Sequence, residues 1–335
     1  MIELRSDTFT KPTKEMLAFM FAANVGDDVW DEDFTVKALE KRIALLFGME
    51  AALFCPSGTM ANQIAIKVHT QPGDEVICDY SSHIYQYEAG GIAFNSSASV
   101  NLLQGTNGKI TVDLVQSALK EENIHFSKQS LVSVENTTNK GGGACYDLIE
   151  LQSLSTFCKS KSLAFHMDGA RLYNAMVKTN TKPADYGAIF DSISVCMSKG
   201  LGAPIGSLLL GNNAFIAQAK RIRKVLGGGM RQAGYLAAAC DYALDTNIDL
   251  LQHDHRRAKV IETTLKSLDY VNEVLPVETN IVIFSLADPT SFVAYLKEQN
   301  ILCSAISANQ IRFVTHLQFT DKMLELLVKA LLVWK

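Results

Sequence analysis

The chain has 335 residues, of which 48% are apolar and 20% charged, with a formal net charge of -4. Its length suggests about two domains, and its composition excludes a disordered chain. The small negative balance supplies no electrostatic footprint for nucleic acid or an anionic membrane surface.

Met1–Asp7 lacks the apolar stretch of a secretory signal, and no segment approaches the roughly 18 uninterrupted apolar residues of a spanning helix. The seven cysteines (Cys55, Cys78, Cys145, Cys158, Cys196, Cys240 and Cys303) stand singly without CxxC spacing. That pattern belongs to reduced thiols, so a cytoplasmic protein is expected. Apolar periodicity predicts helices over Val36–Phe47, Met60–His69, Val112–Glu122, Leu148–Lys159, Asn213–Val225 and Arg231–Leu244. Between them lie short β-branched runs: Glu75–Cys78, Leu131–Val134, Ala164–Met167, Ser192–Cys196 and Ser207–Leu210. Such runs suit strands buried on both faces, which implies an α/β architecture with helices on each side of a mostly parallel sheet. After about Asp249 the texture changes to a charged helix (Leu250–Leu268), a strand (Asn280–Ser285), a helix (Thr290–Gln299), a strand pair around Cys303–Val314 and a last helix near Asp321–Trp334. We therefore expect a large domain over 1–248, with an arm at 1–13, and a small α+β domain over 249–335.

Several segments carry candidate chemistry. The run Ser194–Gly202 ends an apolar strand with Ser198-Lys199-Gly200. Desolvation there favours the neutral amine that Schiff-base chemistry needs. Gly200, Gly202 and Gly206 have GxGxxxG spacing, but a strand-like run follows them instead of a helix, so a dinucleotide fingerprint is a poor fit. Asp168 closes the run Ala164–Asp168 and needs a partner in a buried setting. Arg171 is one choice. The other is a cationic ring nitrogen, since an aspartate on the pyridinium of pyridoxal phosphate keeps that ring an electron sink. Ser57-Gly58-Thr59 opens an apolar helix, where exposed amides suit either a phosphate or a simple cap. His83, in Ser81-Ser82-His83, suits ring stacking or acid/base work. His253-Asp254-His255 reads as a solvated helix face, and the run Lys220, Arg221, Arg223 and Lys224 as a solvated face or an anion site.

Taken together and in this order, these segments resemble the threonine aldolases, fold-type I pyridoxal-phosphate enzymes. The matching stretches are LRSDTFTKPT (Leu4–Thr13), VGDDV (Val25–Val29), PSGTMANQ (Pro56–Gln63), GDEVICDYSSHIYQYEAGG (Gly73–Gly91), HMDGAR (His166–Arg171), SKGLGAPIGS (Ser198–Ser207), LGGGMRQAG (Leu226–Gly234) and RFVTH (Arg312–His316). The resemblance implies the fold-type I transferase fold and cleavage of L-threonine- or L-allo-threonine-type β-hydroxy-α-amino acids to glycine and an aldehyde. It implies a small-molecule amino-acid substrate, no metal, no nucleic acid, no membrane, and a homo-oligomer built as a dimer-based tetramer. By position it assigns Lys199 to the cofactor's aldehyde and Asp168 to the ring nitrogen. Gly58 and Thr59 fall to the phosphate, with Lys224 and Arg231 from a neighbouring subunit. His83 stacks on the ring. Ser6, Arg171 and Arg312 hold the substrate carboxylate, Arg171 also bordering the cofactor, and His125 lies near the substrate hydroxyl. The proton acceptor at that hydroxyl is His83, His125 or a water they hold. The competing enzyme reading is a β-eliminating lyase on an aromatic or other amino acid. A non-catalytic cofactor binder is disfavoured by the joint presence of Lys199, Asp168, Arg171 and Arg312.

The chain departs from the family pattern in places. Where VYGEDP is usual, Val29–Phe34 reads VWDEDF, so Trp30, Asp31 and Phe34 replace tyrosine, glycine and proline. The usual ENTHN is Glu135–Asn139, with Thr138 for the histidine. A carboxylate at position 31 beside the substrate side chain would alter which aldehyde is released.

Overall fold

The computed structural model describes residues 1–334. A short arm strand, β1 (Ile2–Glu3), precedes seven strands that form one sheet: β2 (Ala51–Cys55), β3 (Glu75–Asp79), β4 (Ser99–Leu103), β5 (Gln129–Glu135), β6 (Ala164–Gly169), β7 (Ser192–Cys196) and β8 (Ser207–Gly211). Their order is β2-β8-β7-β6-β5-β3-β4, and β8 alone runs against its neighbours. The sheet is thus mostly parallel, and its interior strands are buried on both faces. Successive side chains point to opposite faces. Leu208 and Leu210 accordingly join the main core, whereas Leu209 joins a second cluster against the helix Gly58–His69.

The strands β2 and β4 are not among those expected, and β8, expected over Ser207–Leu210, runs antiparallel to both of its neighbours. The helix expected over Val112–Glu122 ends at Ala118. There the chain turns back to the sheet, and Lys120 reaches the Glu75 carboxylate at 2.5 Å. The helix expected from Arg231 begins at Gly234. Its first amide is held by the Asp33 carboxylate, at 2.9 Å, while the Arg231 carbonyl accepts from Asp28 N–H.

Beyond the sheet come β9 (Val271–Val274), β10 (Ile281–Leu286), β11 (Ile301–Leu302), β12 (Ser304–Ala305) and β13 (Gln310–Val314). Four of them form an antiparallel sheet, β12-β13-β10-β9, with its own apolar cluster built on Phe284, Phe292 and Phe313. The amino-terminal arm joins this cluster: Ile2 and Leu4 are buried in it, and β1 pairs with β11. All seven cysteines are free and buried. No helix among the described residues is long and apolar enough to cross a membrane.

Candidate active site

In parallel sheets ligands gather outside the carboxyl ends of the strands. Here β3, β5, β6 and β7 deliver His83, Glu135, Asp168 and Lys199 to that edge. The Asp168 carboxylate is buried. It accepts from Asn62 Nδ2 at 2.9 Å and from the Ala170 N–H at 3.1 Å. Asn62 is fixed in turn: its Oδ1 accepts from Ser194 Oγ at 2.6 Å and lies 3.2 Å from His166 Nε2. Burial pushes His166 down to about 3, so this ring is a neutral strut. Among the described residues no lysine or arginine pairs with Asp168. Arg171 is not its partner, because the guanidinium grips Asp7 through Nε at 2.8 Å and Nη2 at 2.7 Å. Asp168 is therefore a buried carboxylate held by neutral donors, a position that favours an incoming cation.

His83 opens the short helix His83–Gln86, and its Nδ1 lies 3.0 Å from Glu88 Oε1. Glu88 also accepts from Asn62 Nδ2 at 2.9 Å and Gln63 Nε2 at 2.7 Å. One ligand-type atom from each of His83, Glu88 and Asp168 falls within 4.8 Å of the others. Burial disfavours the charged imidazole, but the Glu88 hydrogen bond and the Asp168 and Glu88 charges outweigh it and hold the His83 pKa above its ordinary value.

Lys199 is half-buried on the turn after β7, where Thr10 Oγ1 donates to its carbonyl at 3.0 Å. Nearby, Ser57 caps the helix Gly58–His69 by accepting from Met60 N–H at 3.2 Å, so the plain cap is present. Two further facts favour an anion there. A Cβ built on Gly58 would meet nothing closer than Ser207 Oγ, at 3.6 Å. That Ser207 hydroxyl is buried without a hydrogen-bond partner. Helix-start amides beside an orphaned hydroxyl form a cradle for phosphate oxygens. Thr59 is exposed at the same helix start.

A cavity of about 450 Å³ opens between Lys199, His83, Glu135, Arg171 and the arm and small sheet, which contribute Ser6, Thr8, Ile306 and Arg312. Arg312 donates from Nη1 to Asn139 Oδ1 at 2.9 Å and from Nη2 to the Arg5 carbonyl at 3.1 Å, while its Nε is buried without a partner. Burial and the nearby Arg171 charge lower its pKa. Asp7, fully buried, also accepts from Asn280 Nδ2 at 3.1 Å. Burial alone would raise its pKa; the Arg171 charge and hydrogen bonds outweigh that and bring it to about 2.

Other candidates lie elsewhere. His125 is exposed on a turn stabilised by Asn123 and does not line the cavity. Lys224 and Arg231 are exposed, Arg231 pairing with Asp27 at 3.0 Å. Trp30 is 72% exposed and also outside the cavity. Asp31 has φ +61° and pairs with Lys37 and Lys220. Aspartate is one of few side chains that tolerate this left-handed backbone, which explains how it stands in for a glycine. Two surface readings need correction. Asp254 is fully buried, and burial, opposed by Arg257, lifts its pKa to about 7; only His253 of that triplet is exposed, and His255 bonds Asn174 at 3.0 Å. Arg223, in the basic run, is buried on Asp28 at 2.6 Å and the Phe54 carbonyl at 2.7 Å.

The beta-eliminating lyase family is matched over residues 3–289. The low specificity L-threonine aldolase of Escherichia coli K12 is 40% identical over 97% of this chain and 96% of its own length. The low-specificity L-threonine aldolase 1 of Arabidopsis thaliana is 37% identical, covering 95% and 92%. The solved threonine aldolase of Leishmania major superposes with a TM-score of 0.88 at 22% identity, covering 99% of this chain and 98% of that one, which places the fold. The chain belongs to the beta-eliminating lyase family, among the threonine aldolases.

Proposed function

We propose that the protein cleaves the Cα–Cβ bond of threonine-type β-hydroxy-α-amino acids, giving glycine and an aldehyde, with pyridoxal phosphate as cofactor. The observation that carries this reading is the pairing, at one strand edge, of a cavity-lining lysine with a buried carboxylate that has no cation of its own. The residues suit that cofactor: Lys199 would hold its aldehyde, Asp168 its ring nitrogen, His83 its ring face, and Gly58, Thr59 and Ser207 its phosphate. When bound, the cofactor supplies an electron sink for the pair of electrons released at Cα.

The chain's own groups do the rest. Arg312, braced by Asn139 and the Arg5 carbonyl, offers its remaining donor capacity to the substrate carboxylate, with Ser6 and Arg171 beside it. A carboxylate so gripped fixes the rotation about the bond to Cα, and with it the direction of Cα–Cβ. The β-hydroxyl proton goes to His83, or to a water held by it. Glu88 occupies Nδ1, which leaves Nε2 for that proton. His125, outside the cavity of this chain, has no part in this scheme. Lys224 and Arg231 face outward, in keeping with service to a second subunit of a dimer-based tetramer, and the dispersed free thiols suit the cytoplasm.

An aldehyde-release assay over β-hydroxy-α-amino acids of both Cβ configurations tests the reading. Glycine plus the matching aldehyde is the expected outcome. The 2-oxo acid that keeps the whole carbon skeleton (2-oxobutanoate from threonine), with ammonia and no glycine, would replace it with β-elimination.

A further inference from the structure

Glu135, the last residue of β5, has no role in the scheme above. It stands in register with Asp168 on the adjacent strand and is 5% exposed. Its two oxygens are divided between two backbone donors. Oε2 accepts from the His83 N–H at 2.8 Å and Oε1 from the Asn139 N–H at 2.7 Å. The first donor starts the helix that carries the ring-stacking imidazole. The second belongs to the residue whose side chain braces Arg312 at 2.9 Å.

We propose that Glu135 is a positioning residue that spans the site: by gripping His83 from one side and Asn139 from the other, it fixes the imidazole relative to the Arg312 guanidinium. The inference rests on the roles given above to His83 and Arg312. Only an acceptor-only side chain can serve both amides, because a glutamine end offers one acceptor and one pair of donors. Keeping a carboxylate here is also costly. Burial, then the neighbouring Asp168 charge, lifts its pKa to about 7 against the two amide bonds. A neutral residue would be cheaper unless both contacts serve a purpose.

The test compares Glu135→Gln, Asn139→Ala and each of them combined with Arg312→Lys. In the cofactor-free chain, Glu135→Gln should speed amide exchange at His83 or Asn139 by about tenfold or more. In the loaded protein, glycine binding, read from the shift of the cofactor's visible band, should weaken about tenfold in both single variants. KM for threonine should rise in parallel; kcat should change less than about threefold in Asn139→Ala, which leaves His83 held, and fall further in Glu135→Gln, which also frees the imidazole. Added to Arg312→Lys, either change should weaken glycine binding by less than about twofold more, because all three act on one contact. Should Glu135→Gln not fold, Asn139→Ala decides the matter alone, since it leaves the buried carboxylate intact. Unchanged glycine binding in Asn139→Ala, full additivity with Arg312→Lys, or unaltered exchange in a folded Glu135→Gln overturns the proposal. A wild type that binds glycine but cleaves no β-hydroxy acid sinks the reaction and leaves the positioning role. One that cleaves threonine while both single variants bind glycine normally sinks only the positioning role. A wild type without a glycine-induced shift sinks both.

Discussion

The two sides of the cavity are built on opposite electrostatic plans. On the side of the large sheet, the Asp168 carboxylate is held by the Asn62 and Ala170 amides, and a negative charge is left for a ligand to answer. On the side of the arm, Arg171 and Asp7 answer each other at 2.7 Å and 2.8 Å, with nothing left over except what Arg312 presents. The first arrangement keeps its charge for function. The second uses a charge pair to fasten residues 164 positions apart in sequence. Damage to the two sides should therefore look different, one failing in chemistry with the fold intact and the other in fold and chemistry together.

The sharpest version of the first case is Lys199→Ala. Turnover and the visible band of the bound cofactor should both vanish, while the far-ultraviolet circular dichroism stays as in the wild type. Full aldol cleavage with added cofactor would remove Lys199 from the chemistry. Asp7→Asn is the counterpart on the other side. It leaves a buried guanidinium unanswered, which costs about 3–5 kcal/mol. The melting temperature should fall together with kcat/KM, and an unchanged melting temperature would mean that the pair fastens nothing. Arg312→Lys lies between these two. A point charge cannot copy the planar fork, and a hydrogen bond to a charged group is worth about 1.5–3 kcal/mol, so kcat/KM should drop roughly ten- to a hundred-fold. Cofactor affinity, measured by titration of the visible band, should hold. A matching loss of cofactor affinity would erase the division between the sides.

The smallest effect concerns Asp254, beneath the arm side. Its pKa in the folded chain is lifted from 3.8 to about 7. The folded protein thus keeps a proton that the unfolded chain gives up near pH 4, and the stability this confers is complete below about pH 4 and lost as pH rises through about 7. Asparagine does not titrate. The melting temperature of Asp254→Asn minus that of the wild type should therefore increase between about pH 5 and pH 8. A flat difference would mean that Arg257 already neutralises the charge.

The same division governs what could be read before the fold was known. Lys199, Asp168 and His83 follow short apolar runs, and strand ends are where a parallel sheet places its chemistry, so local sequence located them. The same logic applied to Gln129–Glu135 would have found Glu135, which also ends its strand. Asp254 carried a signal too. Leu251, Asp254, Ala258, Ile261 and Leu265 recur at helical spacing and are all buried, so the aspartate lies on the apolar stripe despite its charged neighbours. Asp7 is different. Nothing near it announces Arg171, because their contact is made by tertiary folding, and the stretch Leu4–Thr13 drew notice for Ser6 while its neighbour made the buried bond. The carboxylates of Val25–Val29 likewise proved to be framework: Asp27 caps Val29 and Asp28 holds Arg223. Side-chain type and strand position speak for a ligand site, whereas a buried ion pair between distant segments leaves no local trace.

The arm has a consequence for how the molecule is made. Its first strand waits for Ile301 and Leu302, and the Leu4 and Arg5 carbonyls wait for the Val314 amide and the Arg312 guanidinium. During synthesis at about 5–20 residues per second, the earliest residues therefore stay unpaired for roughly 15–60 seconds, with Ile2 and Leu4 bare to solvent. The large sheet can close in that interval because its strands all lie between Ala51 and Gly211. On the ribosome, a nascent chain could acquire the Asp168 side of the cavity well before it could hold a substrate, because the arm side closes only after Ile301–Leu302 and Gln310–Val314 have been made.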